Sequence, residues 1–98
     1  MTIDKVLEGD KLTVRLEGSL NTLSAPELEN VIHPCLPDVN SITIDMTNLN
    51  YISSAGLRVL LAAQKQMNKQ GDMVVRSVNQ TIAEIFEVTG FGDILTIE

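Results

Sequence analysis

Tryptophan is absent, histidine and cysteine occur once each, and most of the side chains that enzymes recruit for chemistry are correspondingly scarce. The lone Cys35 excludes an internal disulfide and a cysteine zinc cluster, and reads as a buried reduced thiol of the kind found in the cytoplasm. One cysteine and one histidine cannot furnish a transition-metal shell, and the acids lack EF-hand spacing, so neither a metal nor any other cofactor is expected. Only Tyr51, Phe86 and Phe91 are aromatic, which leaves no stacking platform for bases or sugars and hands the core to Leu, Ile, Val and Met. Basic residues are also few: seven Lys and Arg against thirteen acids give a net charge of −6. That balance argues against direct binding to nucleic acid or to an anionic membrane surface, and leaves a basic or mixed-charge protein partner open. Long apolar runs are missing too. The longest, Val59 to Ala63, is far too short to cross a bilayer, and the opening MTIDKVLEGDK lacks the apolar stretch of a signal peptide. A soluble cytoplasmic protein without membrane insertion is the expectation.

Ninety-eight residues at 44% hydrophobic content suit one domain spanning 1–98, which at this size buries about 60–70% of its unfolded surface. Two runs, Ile3 to Leu7 and Lys11 to Glu17, flank Gly9-Asp10 and read as a hairpin, the second alternating Leu12, Val14 and Leu16 against Thr13, Arg15 and Glu17. A polar loop, Gly18 to Thr22, precedes a helix start at Ser24, where Pro26 and Glu27 complete a capping-box pattern. Leu28, Val31, Ile32 and Cys35 form that helix's apolar stripe, and Pro34 and Pro37 end or distort it.

Ile42 to Leu61 is the most informative stretch. Ile42, Ile44 and Met46 alternate with Thr43, Asp45 and Thr47, which marks a strand that packs on one side only or sits near a sheet edge. After a turn at Thr47 to Asn50, Leu57, Leu60, Leu61 and Met67 recur at helical spacing. Ser53 or Ser54 is the N-cap, and Lys65, Lys69 and Gly71 mark the far end. Met73 to Val75 reads as a buried strand, Asn79 as the cap of a helix carrying Ile82, Ile85, Phe86 and Thr89, and Gly90 as its stop. The tail Phe91 to Ile97 adds a last short strand or packs against the sheet. The expected fold class is α/β: a mixed four- to five-stranded sheet with three to four helices and right-handed crossovers.

No catalytic residue emerges from this pattern. A serine hydrolase needs a base within reach, the only histidine lies on the first helix beside Pro34, and the serines lack a nucleophile elbow. Neither a dinucleotide fingerprint nor a P-loop lysine is present. A phosphoacceptor serine asks for less, namely an accessible hydroxyl on a small-residue turn, and Ser54-Ala55-Gly56 supplies one. Phosphate there adds about −1.5 to −2 charges, which the free N–H groups and dipole of a helix N-terminus accommodate. Read from the residues alone, Ser53 and Ser54 serve equally well as caps and nothing more.

At these residues the chain resembles the anti-sigma factor antagonists of the STAS domain family. The likeness covers nearly the whole chain: the hairpin, the Gly18-Ser19-Leu20-Asn21-Thr22 loop followed by Ser24-Ala25-Pro26, the strand Ile42-Thr43-Ile44-Asp45, the turn Ser53-Ser54-Ala55-Gly56-Leu57, and the end containing Gly90. The resemblance implies a STAS-like single domain, not an enzyme, whose helix-start serine is phosphorylated by a serine kinase that is also an anti-sigma factor. The unphosphorylated antagonist binds that kinase and frees sigma factor, and a serine phosphatase resets the switch. Matched residue by residue, the acceptor is Ser54, and the partner-binding set is Asn21, Thr22, Ser53, Ser54, Ala55, Gly56 and Arg58. Two departures stand out, since the family often has Asp at the positions of Ser53 and Asn21. Both remove negative charge beside the hydroxyl, which either eases phosphate acceptance or marks a member that binds without being phosphorylated. The expected state is a monomer. The alternative is a constitutive STAS scaffold or regulatory subunit of a lipid-transport or signalling complex.

Overall fold

The computed structural model describes all residues, Met1–Glu98. The elements are β1 (Thr2–Glu8), β2 (Lys11–Leu20), α1 (Ala25–Ile32), a 3-10 segment (His33–Asp38), β3 (Ser41–Ile52), α2 (Ser54–Gln70), β4 (Asp72–Arg76), α3 (Gln80–Thr89) and a 3-10 turn (Phe91–Asp93). The sheet order is β1-β2-β3-β4. β1 pairs antiparallel with β2 through the turn at Gly9, whose φ of 63° lies in the left-handed region that glycine reaches without a Cβ penalty. β2, β3 and β4 run parallel. The tail adds a single parallel bridge, Ile97 to Val75, on the free edge of β4.

Each parallel crossover carries one helix, and right-handed crossovers running in one direction put all the helices on the same face. The burial pattern agrees. Leu12, Val14 and Leu16 of β2, Ile42, Ile44 and Met46 of β3, and Met73 and Val75 of β4 are buried in one core with Leu28, Leu57, Leu60, Met67, Ile82 and Phe86 of the helices. β3 is therefore an inner strand that packs on one side only.

Three local expectations are corrected. The loop expected from Gly18 is still strand, since β2 runs to Leu20. The turn expected at Thr47 to Asn50 is strand as well: β3 continues through it for twelve residues with register shifts against β2. The shift has a local cause, because Asp45 Oδ1 accepts from the Thr47 backbone N–H at 2.9 Å and from its hydroxyl at 2.6 Å, which tightens the chain where an extra residue is inserted. Polar residues that signal a turn here signal a bulge. Finally, Ser24 caps no amide of α1, and no capping box forms. As expected, Pro34 and Pro37 convert the end of α1 into 3-10 geometry.

The far end of α2 is fixed by Gln70, whose Nε2 donates to the carbonyls of Leu36 and Val39, and by Gly71, where any Cβ would collide with the Asn40 backbone. Gly71→Ala should therefore lose roughly 1–3 kcal/mol through overpacking. Urea unfolding reads this as a lowered midpoint, and an unchanged midpoint would contradict the packing.

The Thr47 hydroxyl, then its backbone N–H, hold the Asp45 carboxyl below its ordinary 3.8; burial opposes them, and Arg15 and Arg76 assist. Because the folded value is the depressed one, this contribution to stability is present above pH 3.8 and is lost as pH falls through the folded pKa. Thr47→Val should raise the Asp45 titration midpoint, as followed by carboxyl-carbon NMR; an unmoved midpoint would refute the assignment.

Candidate functional site

The residues expected to form a site at the α2 start lie where the C-terminal ends of β2 and β3 meet the Asn21–Ser24 loop and the α2 cap. The Ser53 backbone N–H donates to the Leu20 carbonyl at 2.8 Å, extending the sheet register by one bond past Ile52. That bond fixes where α2 begins. Ser53 is extended (φ −95°, ψ 174°), and its Oγ accepts from the Gly56 N–H at 3.4 Å, so it is the N-cap. Ser54, the first helical residue, is exposed, and its hydroxyl has no hydrogen-bond partner within the protein. The cap, which the sequence left open between the two serines, is therefore Ser53.

Gly56 is buried because the helix start lies directly on the strand ends. A Cβ there would stand 2.7 Å from Leu20 Cγ and 3.0 Å from Ile52 Cγ1. The contact requires a residue without a side chain.

Across the strand ends, the loop from Asn21 to Ser24 is locked by its own hydrogen bonds. Asn21 Oδ1 accepts from the backbone N–H groups of Leu23 (2.9 Å) and Ser24 (3.1 Å). Ser24 Oγ accepts from the Asn21 N–H at 2.8 Å and donates to the Ser19 carbonyl at 2.8 Å. Asn21 is therefore a turn former whose carbonyl oxygen faces its own backbone, while Thr22 stays exposed. Ser24, expected to cap α1, is 6% exposed and serves this loop instead.

A groove of about 550 Å3 opens between α1 and α2, and Thr22, Ala55 and Arg58 line it together with Ala25, Ile32 and Val59. The structure thus gathers all seven expected binding residues at one end of the sheet. His33 lines the groove as well, but Ser54 does not, and no hydrogen bond joins them. No group of His, Cys, Asp or Glu could hold a metal ion, and no helix is long and apolar enough to cross a membrane.

Two further exposed hydrophobic side chains lie at this end of the sheet. Leu23, at the loop tip, is 85% exposed, and Tyr51, two residues before the cap, is 49% exposed. The available signal for Leu23 was an apolar residue inside an otherwise polar loop; Tyr51 fell between the turn expected at Thr47 to Asn50 and the helix cap, and its exposure follows from β3 continuing through that stretch.

The STAS domain family model matches residues 2–98, and the chain belongs to that family. Among its relatives, the chain is 33% identical to a putative anti-sigma factor antagonist, BtrV, of Bordetella bronchiseptica, over 99% of this chain and 84% of that protein. It is 26% identical to the anti-sigma-B factor antagonist of Staphylococcus aureus, over 99% of this chain and 92% of that protein. The fold matches that of the anti-sigma factor antagonist SpoIIAA in its unphosphorylated form with a TM-score of 0.86 at 16% identity, covering 99% of this chain and 88% of that one. The phosphorylated form of SpoIIAA, a Bacillus cell fate determinant, matches with a TM-score of 0.78.

Ser53→Ala should cost roughly 0.5–2 kcal/mol through the lost cap, whereas Ser54→Ala should leave stability nearly unchanged. Thermal and urea unfolding of the pair test the division of roles, and equal losses in both would overturn it.

Proposed function

We propose that this protein is an anti-sigma factor antagonist that binds an anti-sigma factor serine kinase while unphosphorylated and loses that partner when Ser54 is phosphorylated. The observation that carries the reading is the exposed, unpartnered hydroxyl of Ser54 on the first turn of a seventeen-residue helix already capped by its neighbour. Since Ser53 does the capping, Ser54 is free to enter a kinase active site without unfolding the helix start. The names of the relatives support the same reading, and so does a matching fold that exists in both unphosphorylated and phosphorylated forms.

The mechanism follows from position. Thr22 and Leu23 in the Asn21–Ser24 loop and Arg58, one helical turn beyond Ser54, are all exposed at the same end of the sheet, a surface part apolar and part polar that suits a protein partner. A phosphate on Ser54 is stabilised by the free amides and dipole of α2, so the fold survives the modification. A docked partner instead meets new bulk and charge, and like-charge juxtaposition at an interface can cost several kcal/mol. With Ser53 and Asn21 as neutral neighbours, the phosphate does not have to form beside a carboxylate. A serine phosphatase reverses the switch. The protein works in the cytoplasm, where kinase, ATP and sigma factor are found.

Protein with serine or genetically encoded phosphoserine at position 54 should be titrated calorimetrically against the purified anti-sigma kinase of the same organism. Phosphorylation should weaken binding about 100-fold, equivalent to roughly 2.7 kcal/mol. Equal affinity of both forms would reject the switch, and would favour the constitutive scaffold or regulatory-subunit reading.

A further inference from the structure

The sheet face turned away from the helices is uncovered, and the pairing register sorts its side chains into rows that cross all four strands. One row reads Asp4, Arg15, Asp45, Arg76, alternating in sign from edge to edge. The row beside it reads Val6, Thr13, Thr43, Val74 and carries no charge. Arg15 and Asp45 pair at 3.7 Å with 63% and 24% of their side chains exposed, whereas Asp4 and Arg76, at the row ends, are exposed and unpaired.

We propose that this face binds the same face of a second copy of the chain, about a twofold axis parallel to the strands and above the seam between β2 and β3. That axis lays β1 over the second copy's β4, and β2 over its β3. Every charge in the alternating row then meets its opposite: Asp4 over Arg76, and Arg15 over Asp45, each twice. In the uncharged row Val6 meets Val74 and Thr13 meets Thr43, so no charge is buried without a partner there. The other in-plane twofold, perpendicular to the strands, stacks the alternating row on itself, or sets Asp4 and Arg15 against Glu8 and Lys11, and both bring like charges together. The chosen arrangement leaves one kind of like-signed contact, Glu8 over Asp72, made twice at the corners where water screens it.

Four strands about 4.8 Å apart, paired over several residues at ~3.3 Å each, give a face of roughly 400 Å2. That is about half the ~800 Å2 per partner of a standard interface. The association is weak, and charge placement sets its geometry and salt dependence. Strand direction is preserved by the axis, so both Ser54 edges lie at the same end of the pair and stay uncovered. The pairing does not depend on what Ser54 does.

The test uses two single variants, Arg15→Glu and Asp45→Arg, alone and mixed, in sedimentation velocity at several hundred micromolar. Wild-type protein should self-associate at roughly 50 mM salt and lose the association at roughly 500 mM. Each variant alone places like charges across the axis and should associate at least ~10-fold more weakly. An equimolar mixture of the two should regain wild-type association, because the carboxylate introduced at position 15 in one variant then faces the guanidinium introduced at position 45 in the other. Mixing cannot restore the Arg15–Asp45 pair within either chain, so recovery reports contact between copies alone. As a check free of substitutions, dilution of the wild-type protein should shift the amides of Thr13, Thr43 and Val74 and leave those of α1 and α2 still. A wild-type protein that stays monomeric at low salt, or variants whose mixture fails to recover, would overturn the pairing.

Discussion

The hydrogen bond from the Ser53 amide to the Leu20 carbonyl, with Gly56 packed on the strand ends beneath it, is the constraint on which the functional end of the molecule depends. The bond carries the β2–β3 register one residue beyond the sheet, and so determines which residue leaves the strand and which opens the helix. Gly56 lets the helix start descend until a methyl group would strike Leu20 and Ile52. Together they place Ser54 at a fixed height above the strand ends, beside a loop whose shape is set by Asn21 and Ser24. Ser54, Ala55 and Arg58 take their position from this junction, and Thr22 and Leu23 take theirs from the loop beside it.

The same junction explains how a modification can change binding without changing the fold. A helix start needs one side-chain acceptor for its free amides, and Ser53 supplies it. The next hydroxyl is then structurally idle, yet it sits at the positive end of α2, where added negative charge is favourable. On the function proposed above, the consequences of phosphorylation are confined to whatever approaches the exposed loop and helix start, Thr22, Leu23 and Arg58 among them. The alternating charge row on the helix-free sheet face, Asp4, Arg15, Asp45 and Arg76, crosses the strands several residues before that end.

Much of this was legible in the sequence where a single physical signal dominated. Alternation in Leu12 to Leu16 and Ile42 to Met46, helical spacing from Leu57 to Met67, and the caps at Asn79 and Gly90 all appear in the structure as read. The misreadings share one origin, in that polar residues which form turns when isolated act differently beside a paired strand. Gly18 to Leu20 stayed in β2 because β3 was there to pair with it, and Asp45 with Thr47 built a bulge within β3. Ser24 bears every mark of a cap, but the competing Asn21 and Ser19 groups claimed its hydroxyl. The choice between Ser53 and Ser54 was beyond local patterning, since it is made by a bond to Leu20, thirty-three residues away in the chain. Leu23 and Tyr51 were missed because exposure of an apolar residue is a property of the folded surface.

On the proposed switch, a phosphate on Ser54 alters the docking surface while leaving the junction beneath it intact. The most direct measurement compares amide NMR spectra and hydrogen exchange of the unphosphorylated and Ser54-phosphorylated proteins. Shifts should be confined to residues 20–24 and 51–58, with the Ser53 and Gly56 amides as protected after phosphorylation as before. Shifts spreading through β2 and β3, or loss of protection at those two amides, would contradict this.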